Sequence, residues 1–183
     1  MLSPLQKQKL TRYFRVYDVN DDGTIRPGDF ERVLENLRIL HGLDAGAPGL
    51  TALREAYVTR WEAMRRTADA DADGGVSLDE WLAYWDGVLS DEPRYEAEVS
   101  SLVSRLYALF DTDESGVIEA DEFTGFHGAY GLSAALARQV FMDLDVDGDG
   151  AISPDELREM AHQFYRSDDP DAPGNRLYGP VDG

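Results

Sequence analysis

Twelve residues, Asp145 to Glu156, constrain this chain more than any other stretch. They read Asp-Val-Asp-Gly-Asp-Gly-Ala-Ile-Ser-Pro-Asp-Glu, with carboxylates at the first, third, fifth and twelfth places, glycine at the sixth and isoleucine at the eighth. A segment that turns sharply at a glycine while presenting every second side chain inward surrounds one point with oxygen. A hard cation such as calcium takes six to eight oxygens at about 2.3–2.6 Å, and this order supplies them. Asp145, Asp147 and Asp149 offer side chains, Ala151 its backbone carbonyl, Ser153 a water, and Glu156 two oxygens. Gly150 takes the turn. Ser153 and Glu156, three residues apart with Pro154 between, also cap a helix that begins where the loop ends.

The pattern recurs three times. The third loop, Asp111 to Glu122, offers Asp111, Asp113, Ser115, the Val117 carbonyl, Glu119 at position nine and Glu122, with Gly116 turning. The second, Asp69 to Glu80, offers Asp69, Asp71, Asp73, the Gly75 carbonyl and Glu80, with Gly74 at the turn and Ser77 at position nine. The first, Asp18 to Asp29, offers Asp18, Asn20, Asp22, the Thr24 carbonyl and Asp29, with Gly23 turning. It departs twice from the others. Position nine is Arg26, which cannot ligate, and position twelve is an aspartate, one methylene short of easy two-oxygen coordination. Octahedral magnesium geometry therefore competes best at this loop; the other reading, from Arg26 and the lower ligand charge, is a loop that binds no ion.

Each loop lies between apolar stripes of helical period. Leu10, Tyr13, Phe14 and Tyr17 lead into the first, and Phe30, Val33, Leu34 and Leu37 leave it. Trp61 and Met64 precede the second, where Arg65 and Ala68 make the stripe less regular; Trp81, Tyr84, Trp85 and Val88 follow. Val103, Leu106, Tyr107 and Phe110 precede the third, and Phe123 and Phe126 begin an exiting helix that Gly128 and Gly131 weaken. Ser133 caps a helix carrying Ala137, Val140, Phe141 and Leu144 to the fourth loop, after which come Leu157, Met160, Ala161 and Phe164. The stretch His41–Leu50 reads as a Gly/Pro connector, with Thr51 capping the next helix. Ser90 to Pro93 breaks a helix and marks the boundary between halves.

The expected fold is all-α: four helix–loop–helix units in two pairs, about eight helices, with a short two-stranded ladder between paired loops. Ile25 faces Val76 and Ile118 faces Ile152 in those ladders, which bury stripes that a single unit leaves wet. The pairs span residues 1–89 and 93–165, and 166–183 form a Pro/Gly-rich tail. Leu177 and Tyr178 give that tail a means of lying across an apolar groove; the other reading is a disordered end.

Composition narrows the function. With 36 acidic against 17 basic residues the formal charge is -19, a field that repels nucleic acid and anionic lipid and concentrates cations. Disorder, the usual fate of acidic chains, conflicts with 10% aromatic content and clear apolar periodicity. Cysteine is absent, so thiol chemistry and thiolate metal sites are excluded. No run approaches membrane-span length, and a cytoplasmic protein, monomeric and without nucleic-acid or membrane partners, is expected. His41, His127 and His162 have no metal-ligand spacing, no glycine loop cradles phosphate, and the paired carboxylates are better explained as ligands than as general acid and base. An enzyme is not expected.

On these loops and stripes the chain resembles the EF-hand superfamily and its compact calmodulin-superfamily fold. Within it, the length, the long first connector, the closing Asp29 and the tail from Asp168 to Asn175 resemble the sarcoplasmic calcium-binding proteins and calerythrin. The resemblance implies two lobes packed into one globule, a cytosolic calcium buffer, and loops that are not all functional. Calerythrin-like proteins tend to have a degenerate second loop, but Asp69, Asp71, Asp73 and Glu80 are all present here. Up to four calcium ions are expected, with magnesium most competitive at the first loop.

Two functions from different classes remain. In a buffer, binding drives folding: ligand positions hold three acids in the first loop and four in each other, fifteen of the 36, which repel one another without metal. In a sensor, binding opens a groove for a partner protein. Such grooves are rich in adaptable methionine, whereas this chain has four methionines and fills its stripes with aromatics, which favours the buffer.

Overall fold

The helices begin and end where local chemistry satisfies their terminal backbone groups. In α1 (Pro4–Tyr17) the Ser3 hydroxyl accepts from Gln6 N–H while the Gln6 side chain accepts from Ser3 N–H. The same reciprocal box opens α4 (Leu78–Leu89) through Ser77 and Glu80, and α8 (Pro154–Arg166) through Ser153 and Glu156. Between them lie α2 (Pro27–Leu40), α3 (Pro48–Ala68), α5 (Glu92–Phe110), α6 (Ala120–Ala129) and α7 (Ala134–Leu144), which Ser133 caps as expected. The computed structural model describes residues 1–40, 42–111, 113–129 and 133–179. His41, Gly131 and the last four tail residues lie outside the described residues, as do the side chains of Leu106 and Phe126.

One start differs from the sequence expectation. Helix α3 begins at Pro48 with Ala47 before it, so Thr51 is not a cap; its hydroxyl donates back to the Ala47 carbonyl at 3.3 Å. Proline at the first helical position has no N–H to satisfy, and the helix can start there without a side-chain cap. The connector is shortened accordingly.

Two short ladders hold the loops in pairs. Strand β1 (Thr24–Ile25) runs antiparallel to β2 (Val76–Ser77) with Ile25 opposite Val76, and β3 (Ile118–Glu119) pairs with β4 (Ala151–Ile152) with Ile118 opposite Ile152. All four apolar partners are fully buried. Both pairings are those the sequence predicts.

Beneath the ladders one continuous core runs through both halves. Tyr13 stands at its centre: the Trp81 ring meets it edge-on at 5.1 Å, and the Tyr178 ring stacks on it at 4.0 Å. Trp85 from the first half stacks on Tyr165 from the last helix at 4.7 Å. Helix α1 packs on α4 and α8, α5 on α8, and α2 on α6, so the halves share one interior.

The tail supplies part of that interior. After α8 it turns through a 3-10 helix (Pro173–Arg176) and buries Gly174, Asn175, Leu177 and Tyr178. Gly174 is obligatory, because a Cβ there would stand 2.4 Å from the Met160 carbonyl oxygen. Lys9 of α1 is completely buried, its ammonium donating to the carbonyls of Gln163 and Ser167 and to Asn175 Oδ1 at 2.8–3.0 Å. Burial lowers its pKa to about 8, against the opposing pull of Asp168. His127, four residues after Phe123 and stacked on it at 4.0 Å, is buried too. Its two ring nitrogens face the carbonyls of Phe123 and Leu177, and burial lowers its pKa to about 4.

Candidate metal centre

The four loops share one backbone path. Position six is a left-handed glycine in each: Gly23, Gly74, Gly116 and Gly150 have φ of 81°, 84°, 85° and 92°. Position four is left-handed as well, in Asp21, Ala72, Glu114 and Gly148, three of which carry a Cβ that disfavours this region. The tightness of the turn brings the first carboxylate onto the glycine amide. Gly23, Gly74, Gly116 and Gly150 donate to Asp18, Asp69, Asp111 and Asp145 at 2.9, 3.2, 3.0 and 3.0 Å in turn.

The closing residue is fixed from both ends of the loop. Glu156 takes Val146 N–H with one oxygen and Ser153 N–H with the other, at 3.1 and 2.9 Å. Glu80 does the same with Ala70 and Ser77, at 2.8 and 2.9 Å. The Ser77 backbone hydrogen bond leads the causes that hold the Glu80 carboxyl below its ordinary range. For Glu156 burial pushes the pKa upward, but the hydrogen bonds from Ser153, Asp147 and Val146 outweigh it and the net shift is down. Glu122 accepts from Glu119 N–H at 3.0 Å. Glu80 and Glu156 are thereby held ionised and poised across their loops.

The middle ligand positions converge. Oxygens of Asp69, Asp71 and Asp73 lie within 4.8 Å of one another, as do those of Asp111, Asp113 and Glu122, and those of Asp145, Asp147 and Glu156. Asp149 accepts from Ala151 N–H at 3.0 Å, and the Ser115 hydroxyl donates to the Val117 carbonyl at 3.1 Å, which keeps both members of each couple at the loop's inner side. In the first loop the ring contains Asn20, whose amide donates to Asp22 at 3.0 Å. Thr24 N–H donates to the other oxygen of Asp22. Asp29 sits beneath, 2% exposed, accepting from Arg26 N–H at 2.8 Å, and burial raises its pKa.

A cation fits these loops on a direct structural ground. Asp69 Oδ1, Asp145 Oδ1 and Asp29 Oδ1 are buried without a hydrogen-bond partner. A buried oxygen in that state is costly, and a divalent ion is the ligand that a hard, all-oxygen donor set selects. Sequence reasoning named every carboxylate of the rings. It missed the reach of Arg26, whose guanidinium lies 3.8 Å from Asp22 and 3.7 Å from Asp73 in the neighbouring loop. The available signal was the ladder register, which sets Thr24 and Ile25 against Ser77 and Val76.

Comparison with known proteins agrees with the loops. The EF hand family model matches residues 11–34, 108–127 and 137–161. It does not extend over 69–80, although the second loop has the same turn and the same closing hydrogen bonds as the fourth. Calerythrin of Saccharopolyspora erythraea is 25% identical over 167 residues, which cover 90% of this chain and 94% of that protein. Among solved structures, the sarcoplasmic calcium-binding protein from amphioxus superposes with a TM-score of 0.74 at 23% identity, covering 98% and 99% of the two chains. The coelenterazine-binding protein from Renilla muelleri gives the same TM-score at 22% identity, covering 97% and 99%. Three segments of the chain thus match the EF hand model, and over nearly its whole length the chain resembles the sarcoplasmic calcium-binding proteins and calerythrin.

Proposed function

We propose that this protein buffers calcium in the cytoplasm as a monomer, with the four loops as its sites. Asp18, Asn20, Asp22, Thr24 and Asp29 form the first ligand set, and Asp69, Asp71, Asp73, Gly75 and Glu80 the second. Asp111, Asp113, Ser115, Val117, Glu119 and Glu122 form the third, and Asp145, Asp147, Asp149, Ala151 and Glu156 the fourth. Bound calcium supplies the positive charge that these crowded oxygens lack. The first loop, closed by the shorter Asp29, is the one where magnesium competes.

The observation that supports a buffer over a sensor is the filled interior. Leu177 and Tyr178, 3% and 6% exposed, cover apolar surface that a sensor would offer to a partner helix. A pocket lined by Thr59, Met64, Trp81 and Trp85 has a volume of about 70 Å³, well below the roughly 300 Å³ at which small-molecule sites begin.

Two measurements test this. Binding of an apolar dye falls when calcium is added to a buffer, because loosened metal-free packing closes; a rise would mean that calcium opens a groove and would establish the sensor. Calorimetric titration with calcium, with and without millimolar magnesium, is expected to count four sites and to show magnesium acting at the first loop. A chain that takes up no calcium would sink the proposal.

A further inference from the structure

The first loop carries a cation of its own. Arg26 occupies position nine, where Glu119 stands in the third loop and serines stand in the second and fourth. Its guanidinium lies 3.8 Å from Asp22 and 3.7 Å from Asp73, the position-five carboxylates of the first and second loops. It is 44% exposed, and Asp22 and Asp73 are 45% and 51% exposed, so an incoming ion can reach all three groups. The site has been cleared for it. Gly75, opposite in the ladder region, is the only glycine at position seven of any loop, and a Cβ there would stand 3.3 Å from the Arg26 guanidinium and 2.4 Å from the Thr24 methyl.

We propose that Arg26 is a resident cation shared by the first two loops, which lowers the divalent-ion affinity of both. The reasoning rests on the calcium-site reading above. An incoming ion competes with the guanidinium for Asp22 in one loop and Asp73 in the other, and it meets a fixed positive charge beside both sites. The effect crosses the ladder: a residue of the first loop tunes the second. The third and fourth loops have no counterpart, since Glu119 adds negative charge at the same position. The two halves of the protein consequently fill over different ranges of calcium concentration, the second half first.

The test uses the tryptophans, all of which lie on the helices flanking the second loop: Trp61 on α3, and Trp81 and Trp85 on α4. Total calorimetry reports all sites; because Trp85 also stacks on Tyr165 of the last helix, the tryptophan transition belonging to the first pair is identified as the one that Asp18→Ala shifts. Arg26→Gln removes the charge and is expected to raise the tryptophan-detected calcium affinity about five- to tenfold, the effect of one partly screened charge on a divalent ion. Arg26→Lys keeps the charge and is expected to stay within about twofold of the parent. To separate the loops, the same comparison is made on a background carrying Asp18→Ala, which disables the first site; Arg26→Gln must still tighten the remaining site of that pair. A readout without metal accompanies these: in chelator, Arg26→Gln lowers the melting midpoint, because Asp22 and Asp73 lose the cation beside them, while Arg26→Lys retains it.

Equal affinities for the parent and Arg26→Gln would overturn the proposal. So would a gain that vanishes on the Asp18→Ala background, since Arg26 would then act on its own loop alone. A parent whose tryptophan signal never responds to calcium while calorimetry records binding elsewhere would remove the first pair from the calcium-site reading, and the proposal with it.

Discussion

Tyr178→Ala is the substitution that most directly tests whether the tail is a working part of the interior. The ring is 6% exposed, stacks on Tyr13 at 4.0 Å and 19°, meets Phe164 edge-on at 4.9 Å, and places its hydroxyl 3.4 Å from that of Tyr165. Truncating a buried aromatic to alanine costs about 3–5 kcal/mol, to which aromatic pairing contributes roughly 0.5–1.5 kcal/mol. The lower end applies, because the backbone near residue 178 can settle or water can enter beside it. The Arg12 side chain still holds the Tyr178 carbonyl at 2.9 Å, so the tail is not released outright. A loss of about 3 kcal/mol is expected. With a urea slope of about 2 kcal/mol per molar, that moves the unfolding midpoint of the calcium-loaded protein down by about 1.5 M. The assay is urea unfolding followed by tryptophan emission and by far-UV circular dichroism together. A change within about 0.5 kcal/mol, the size of an ordinary surface substitution, would refute the docked tail and remove the main support for a closed, buffering molecule.

Three further outcomes follow from other sites. The buried His127 stays neutral in the fold with its pKa at about 4 against an ordinary 6.5, so the unfolded chain binds the proton first; its stabilisation is complete above about pH 6.5 and is lost as pH falls to about 4. His127→Phe is expected to flatten the stability-against-pH curve in that window, and an unchanged slope would show that the imidazole is not buried neutral. Asp29→Glu restores the longer closing residue and is expected to tighten calcium over magnesium at the first loop by about tenfold in titrations run against millimolar magnesium, with a loss of selectivity counting against the ligand set. Gly75→Ala places a Cβ 2.4 Å from the Thr24 methyl and is expected to cost about 1 kcal/mol in thermal unfolding, recovered by adding Thr24→Ser; equal cost in both backgrounds would mean the contact is not the cause.

Much of this was legible because the loops are local. Twelve consecutive residues contain the ligands, the turn glycine and the serine cap, and nothing distant is needed to place Asp145, Gly150 and Glu156 relative to one another. The ladder partners Ile25 with Val76 and Ile118 with Ile152 also followed, since a repeated unit brings equivalent positions together. Where the outcome depended on distant segments, the sequence said less. Thr51 has the chemistry of a cap, but Pro48 three residues earlier could start the helix unaided. Lys9 reads as a solvated charge until its spacing of four from Tyr13, and eight from Tyr17, is noticed; only the carbonyls of Gln163 and Ser167 with Asn175 make its burial tolerable. Arg26 looked merely non-ligating, because the acid it reaches in the second loop is 47 residues away.

The first helix has a further consequence for how the protein is made. Its buried ammonium, its central tyrosine and its Arg12 each find partners in residues 163–178. During synthesis this helix emerges well before residues 163–178 and must wait for them before its environment is complete. A polypeptide arrested anywhere short of those residues would hold a stranded lysine beside uncovered rings, making it a natural client for chaperones and proteases until they emerge.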